Sequence, residues 1–112
     1  NLDDILSVPG INAVYVGPAD LAITLGLGPS GNEGNPIFDD ALATIVDGCR
    51  RHGVVPGIHS TGVLTSLRRQ QGFRMITVTS DGLALRAGYA SELAATHGDQ
   101  AGAAGGGSGA LY

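Results

Sequence analysis

The sequence predicts an α/β fold with parallel strands, on three observations. Segments of helical apolar spacing alternate along the chain with short apolar, strand-like runs. The clearest helix, Phe38 to His52, places Phe38, Ala41, Leu42, Ile45, Val46 and Cys49 on one stripe. A third strand-like run, Phe73 to Thr79, is rich in β-branched residues.

Taken in order, Leu2 to Val8 reads as a short helix with Leu2, Ile5 and Leu6 on one face, ended by Pro9-Gly10. Ala13 to Val16 is a short apolar strand. Residues 17 to 25 read as a loop opening into a helical turn, and Gly26 to Pro36 as a mobile loop rich in Gly, Asn and Pro. The long helix carries Asp39 and Asp40 in its first turn and Arg50, Arg51 and His52 in its last, which suits the helix dipole. Gly53 is its expected C-terminal cap. Val54 to His59 is the second strand, interrupted by Pro56. Thr61 to Gln71 is a helix closed by Gly72. After the third strand, Ser80-Asp81-Gly82 leads into a helix from about Leu83 to Thr96. From Gly98 the chain is low-complexity and is expected to be disordered.

Composition removes several function classes. The chain has 112 residues, a net charge of −4 and only six Lys and Arg residues, so no basic stripe exists to neutralise phosphates. No apolar run approaches the roughly 20 residues of a membrane span. The lone Cys49 offers no disulfide framework; it fits a reducing cytosol and a packed thiol in a helix. Lys is absent, so no lysine Schiff base can form within the chain. Gly26-Leu27-Gly28-Pro29-Ser30-Gly31 lacks the Gly-Lys-Ser/Thr ending of a phosphate loop, and a substrate-covering or subunit-contact loop is expected instead.

The chemistry concentrates at Asp20. The run Ala13 to Val16 ends in Gly17-Pro18, and a single carboxylate follows in apolar surroundings. A charge there needs a partner. A hard divalent cation is one partner; a helix N-cap or loop turn is the alternative. His59 closes the second strand, where it could be a base, a metal ligand or a substrate contact; its strand-end position suggests a pocket-lining residue, with a satisfied structural histidine or direct catalysis as the alternatives. Ser60 is expected as a helix N-cap. Ser80 and Asp81 are expected as a capped helix start or a pocket rim. Arg68, Arg69, Arg74 and Arg86 are expected as solvated or paired surface. Glu33 and Glu92 sit at no strand end and are not promoted to ligands.

Three segments together resemble the HpcH/HpaI aldolase family. They are Asn1-Leu2-Asp3-Asp4-Ile5-Leu6-Ser7-Val8-Pro9-Gly10-Ile11 running into Val16-Gly17-Pro18-Ala19-Asp20-Leu21; Gly57-Ile58-His59; and Gln71-Gly72-Phe73-Arg74-Met75-Ile76-Thr77-Val78-Thr79-Ser80-Asp81 with Leu85-Arg86-Ala87-Gly88. The likeness covers roughly residues 1–97, leaving 98–112 as a tail. It implies the last three β/α units of a (β/α)8 barrel of the pyruvate/phosphoenolpyruvate type, incomplete as a barrel, since a whole one typically needs about 250 residues.

The resemblance implies a metal-dependent lyase that cleaves a 4-hydroxy-2-oxo acid to pyruvate, or a similar 2-oxo acid, and an aldehyde. Asp20 would be one of two carboxylates on Mg²⁺, Mn²⁺ or Co²⁺. Gly17, Pro18, Ala19 and Asp20 would receive the substrate carboxylate, with amide donors from Ala19 and Asp20, and His59 would line the substrate pocket. No residue here is expected to do the proton transfer, because the family's upstream catalytic His and Arg, like its metal-binding Glu, have no substitute in this chain. The expected protein is cytoplasmic and homo-oligomeric, with residues 83–97 packing on a partner, and the chain by itself is expected to be inactive. A non-catalytic fragment is the alternative. A citrate-lyase-like enzyme acting on a CoA thioester ranks lower, because no basic cluster is present to hold the CoA phosphates.

Overall fold

The computed structural model describes residues 1–102. Its elements are α1 (Leu2–Leu6), β1 (Ala13–Val16), α2 (Pro18–Thr24), α3 (Pro36–His52), β2 (Val55–Ile58), α4 (Thr65–Gln70), β3 (Met75–Ile76) and α5 (Asp81–Gly102). The chain divides into two units, Asn1–Thr79 and Ser80 onward.

The first unit is built on a three-stranded parallel sheet of order β1-β2-β3. Ala13 stands opposite Val55 and Val16 opposite Ile58, while Gly57 stands opposite Met75. The amide of Val55 donates to the Asn12 carbonyl at 2.9 Å, and that of His59 to the Val16 carbonyl at 3.0 Å. Pro56 is tolerated in the central strand for a local reason. Its carbonyl accepts from the Arg74 amide at 2.9 Å. Its missing donor would point one residue pair earlier, ahead of where β3 begins.

α3 covers one face of the sheet. Phe38, Leu42 and Val46 pack with Val16, Ala22, Ile58 and Phe73 in the main core. Leu6, Cys49 and Val54 form a second cluster beneath α1. The predicted apolar stripe of α3 is therefore the buried one. The helix begins two residues earlier than Phe38 because Asn35 caps it, its side chain accepting from the Ile37 amide, with Pro36 at the first helical position. Gly53 ends it in the left-handed conformation at φ 69°. The other face of the sheet has no helix of this unit over it: Tyr15, Val55 and Met75 are exposed.

α1 and β2 are each two residues shorter than their sequence suggests, and β3 and α4 each five. β3 is two residues long, although Arg74 and Thr77 extend its bonding to β2. Phe73 is drawn out of the strand into the core, where it is buried, and its amide bonds the Arg68 carbonyl. α4 begins at Thr65 because residues 61–64 form isolated turns around Gly62. Ser60 is therefore not the helix cap expected of it.

In the second unit, Ser80 does cap a helix: its Oγ accepts from the Leu83 amide at 3.3 Å. α5 starts at Asp81 and runs to Gly102, into the Gly- and Ala-rich stretch. The rest of the predicted tail, residues 103–112, lies outside the described residues.

Candidate active site

The parallel sheet delivers the ends of β1 and β2 to one side of the first unit. A cavity of about 530 Å³ opens there. Gly17 to Asp20 line it after β1, His59 to Thr61 after β2, and Pro29 to Glu33 from the connecting loop. Tyr15, Phe38, Leu64 and Arg68 complete the wall.

Gly17 is the N-cap of α2 and Pro18 follows at its first position, so Asp20 falls in the first helical turn. The carboxylate folds back over Gly17. A Cβ on residue 17 would stand 2.5 Å from Asp20 Oδ2, so a larger residue there would turn the carboxylate aside. Asp20 is exposed, and its carboxylate makes no hydrogen bond or ion pair with the described residues. The first-turn amides of α2, those of Ala19 and Asp20 among them, carry the unpaired donors of any helix start.

His59, Tyr15 and Thr77 form a polar cluster across the three strands. Tyr15 Oη lies 3.1 Å from His59 Nδ1 and 3.0 Å from Thr77 Oγ1. Thr77 Oγ1 also accepts from the Ser60 amide at 3.2 Å. The Tyr15 and His59 rings meet edge-on, with centroids 6.4 Å apart. Tyr15 and Thr77 were not legible as site residues, because nothing in a single strand shows which side chains meet across the sheet.

Arg68 is paired, one of the two expected alternatives, but buried rather than at the surface. Its side chain is 1% exposed. It donates to Glu33 at 2.6 Å and to Gln71 at 2.9 Å, and its Nε is buried with no partner. Ser60, 5% exposed, also has a buried and unpartnered Oγ on the cavity wall. The Glu33 bond ties down the loop read as mobile. Asn32, donating to the Gly28 carbonyl, and the Gly34 amide, donating to Asp39, hold it further.

Among the described residues, no three His, Cys, Asp or Glu side chains converge on a point where a metal ion would sit. Glu33 shares the cavity, but Arg68 occupies it. Hard cations such as Mg²⁺ take one or two carboxylates and complete their shell with water and substrate oxygens. The donor set therefore fits one position of such a site, through Asp20, and no more.

The sequence pattern of the HpcH/HpaI aldolase/citrate lyase family matches residues 1–87. The chain belongs to this family. A hydroxypyruvate/pyruvate aldolase of Paraburkholderia phytofirmans is 33% identical over 81 residues, which is 71% of this chain and 30% of the relative. A 2-dehydro-3,6-dideoxy-6-sulfogluconate aldolase of Pseudomonas putida is 36% identical over 97 residues, 83% of this chain and 36% of the relative. Among solved structures, an HpcH/HpaI aldolase/citrate lyase family protein from Burkholderia cenocepacia superposes with a TM-score of 0.75 at 30% identity, over 86% of this chain and 37% of that one. The chain thus spans about a third of the length of the relatives it matches. No helix among the described residues is long and apolar enough to cross a membrane.

Proposed function

We propose that this chain is the last three β/α units of a metal-dependent aldolase, with residues 1–97 as the barrel portion and 98–112 as a tail. The reaction is reversible cleavage of a 4-hydroxy-2-oxo acid to pyruvate, or a similar 2-oxo acid, and an aldehyde. The observation that carries the reading is the free Asp20 carboxylate at the head of α2, on a cavity at the carboxyl ends of parallel strands.

Each residue of the site has a role in this reading. Asp20 holds a divalent ion (Mg²⁺, Mn²⁺ or Co²⁺) together with a carboxylate from outside the chain. The ion supplies Lewis-acid stabilisation of the enolate. The amides of Ala19 and Asp20 receive the substrate carboxylate, and Gly17 and Pro18 shape the approach. His59 lines the pocket. Proton transfer falls to groups outside the chain. The enzyme is cytoplasmic, consistent with the buried free thiol of Cys49, and homo-oligomeric, with residues 83–97 against a partner.

A second reading, a non-catalytic portion of such a barrel, is favoured because Asp20 is the one unpaired carboxylate on the cavity among the described residues, and by the exposed Tyr15, Val55 and Met75 on one face of the sheet. One assay separates the two. Pyruvate release from a simple 4-hydroxy-2-oxo acid is measured with Mn²⁺, with EDTA and with Asp20→Asn, first on this chain and then with the upstream barrel portion supplied. Metal-dependent release that appears with the upstream portion and is lost in Asp20→Asn supports the aldolase. Release that survives Asp20→Asn or EDTA overturns the role given to Asp20, and none in either preparation favours the second reading.

A further inference from the structure

Tyr15, His59 and Thr77 come from three different strand ends, and Tyr15 and Thr77 lie 62 residues apart in the chain. Their polar atoms make a closed triangle. Tyr15 Oη and Thr77 Oγ1 both lie within reach of His59 Nδ1, at 3.1 and 3.3 Å, and are 3.0 Å from each other. The Ser60 amide donates into the triangle at Thr77 Oγ1. Tyr15 and His59 also line the cavity that holds Asp20.

Counting hydrogens distinguishes two arrangements of this solvent-open cluster, of which one closes without water. Each hydroxyl carries one hydrogen and can accept others, and a neutral imidazole carries one hydrogen on two nitrogens. With Nδ1 as acceptor, Thr77 donates to Tyr15 and Tyr15 donates to Nδ1. Both hydroxyl hydrogens are then used inside the triangle, and Thr77 Oγ1 still accepts from Ser60. With Nδ1 protonated, Nδ1–H takes an oxygen, and one hydroxyl hydrogen must leave the cluster. Only the first arrangement satisfies all three groups internally, and it leaves the ring hydrogen on Nε2.

We propose that Tyr15 and Thr77 are positioning residues that hold the His59 ring by Nδ1 and present Nε2–H to the cavity as a hydrogen-bond donor. Such a donor favours a substrate bearing a carbonyl or hydroxyl oxygen at that point over one bearing a methyl group. The meaning for specificity rests on the aldolase reading given above. The ring geometry does not, and its test reads the ring directly.

The test is nitrogen-15 NMR of the histidine rings in the whole chain at about pH 8.5, where an ordinary imidazole is neutral. His52, bonded to Asp3, reports that the fold is intact, and the exposed His97 gives the free-ring reference. The expected result is His59 as the Nε2–H tautomer, with its Nδ1 resonance displaced from that of His97. Tyr15→Phe/Thr77→Val moves it to the His97 position with His52 unchanged, and Thr77→Ser keeps the wild-type value. A wild-type His59 protonated at Nδ1 overturns the proposal, and so does a resonance that the double variant does not move. The wild-type spectrum decides the tautomer even where the double variant does not fold. Neither result depends on whether the chain releases pyruvate.

Discussion

Replacing Glu33 with Gln tests the buried ion pair that anchors the cavity loop. The Arg68 side chain is 1% exposed and that of Glu33 30%, and they meet at 2.6 Å. Removing one partner of a fully buried pair costs about 3–5 kcal/mol, because the other charge stays buried without compensation. Here Gln71 still accepts from Arg68 at 2.9 Å, and the Glu33 side is partly screened by solvent. These two features lower the expected loss for Glu33→Gln to about 2–3 kcal/mol. A unit of this size has roughly 5–10 kcal/mol to lose, so the melting temperature should fall by roughly 10–20 °C. Arg68→Met should be the milder change, at about 1 kcal/mol, because it removes the buried charge and leaves Glu33 near water. The assay is urea unfolding followed by circular dichroism, comparing both variants with the parent chain. A Glu33→Gln loss under about 0.5 kcal/mol, the range of an ordinary surface change, would refute the reasoning, as would Arg68→Met proving the more damaging of the two.

Two further outcomes are expected. Asp3 is held below the ordinary carboxylate range, first by its hydrogen bond from Arg51 and then by His52. A depressed carboxylate stabilises the fold above its unfolded value of about 4 and loses that contribution as pH falls through its folded value. Asp3→Asn should therefore be less stable than the parent at neutral pH and converge with it in acid; urea midpoints that differ equally at both ends of the range would count against the tie between α1 and α3. Cys49 is fully buried, and burial pushes its thiol up from the ordinary value. Alkylation followed by mass spectrometry should thus be slow in the native chain and fast in urea, and equal rates would contradict the packing of α3.

Much of the fold was legible because it depends on short-range pattern. The stripe of α3 needs only residues three and four apart, and the Gly53 cap needs only its own backbone. Asp20 stood out because a lone carboxylate after an apolar run has few structural uses. Long-range pairings were not legible. Arg68 looks like its neighbour Arg69, and only the fold shows that one is buried against a glutamate 35 residues away while the other is exposed. Tyr15 read as a strand residue and Thr77 as a β-branched filler until the sheet brought them to His59. The shortness of β3 has the same origin: its sequence suits a strand throughout, but the core takes Phe73 out of the ladder.

The parallel pairing of β1 with β2 also bears on how fast this chain reaches its native state. Ala13 and Val55 are partners although they stand 42 positions apart in the sequence. No hairpin can bring them together stepwise. Closing a loop of that length costs about 3 kcal/mol beyond the constant term before the first ladder bond forms. α3 lies inside the loop, and its own backbone hydrogen bonds are local. Its early formation shortens the effective tether between the strands, so changes that weaken α3 should slow refolding more than changes in the strands it joins.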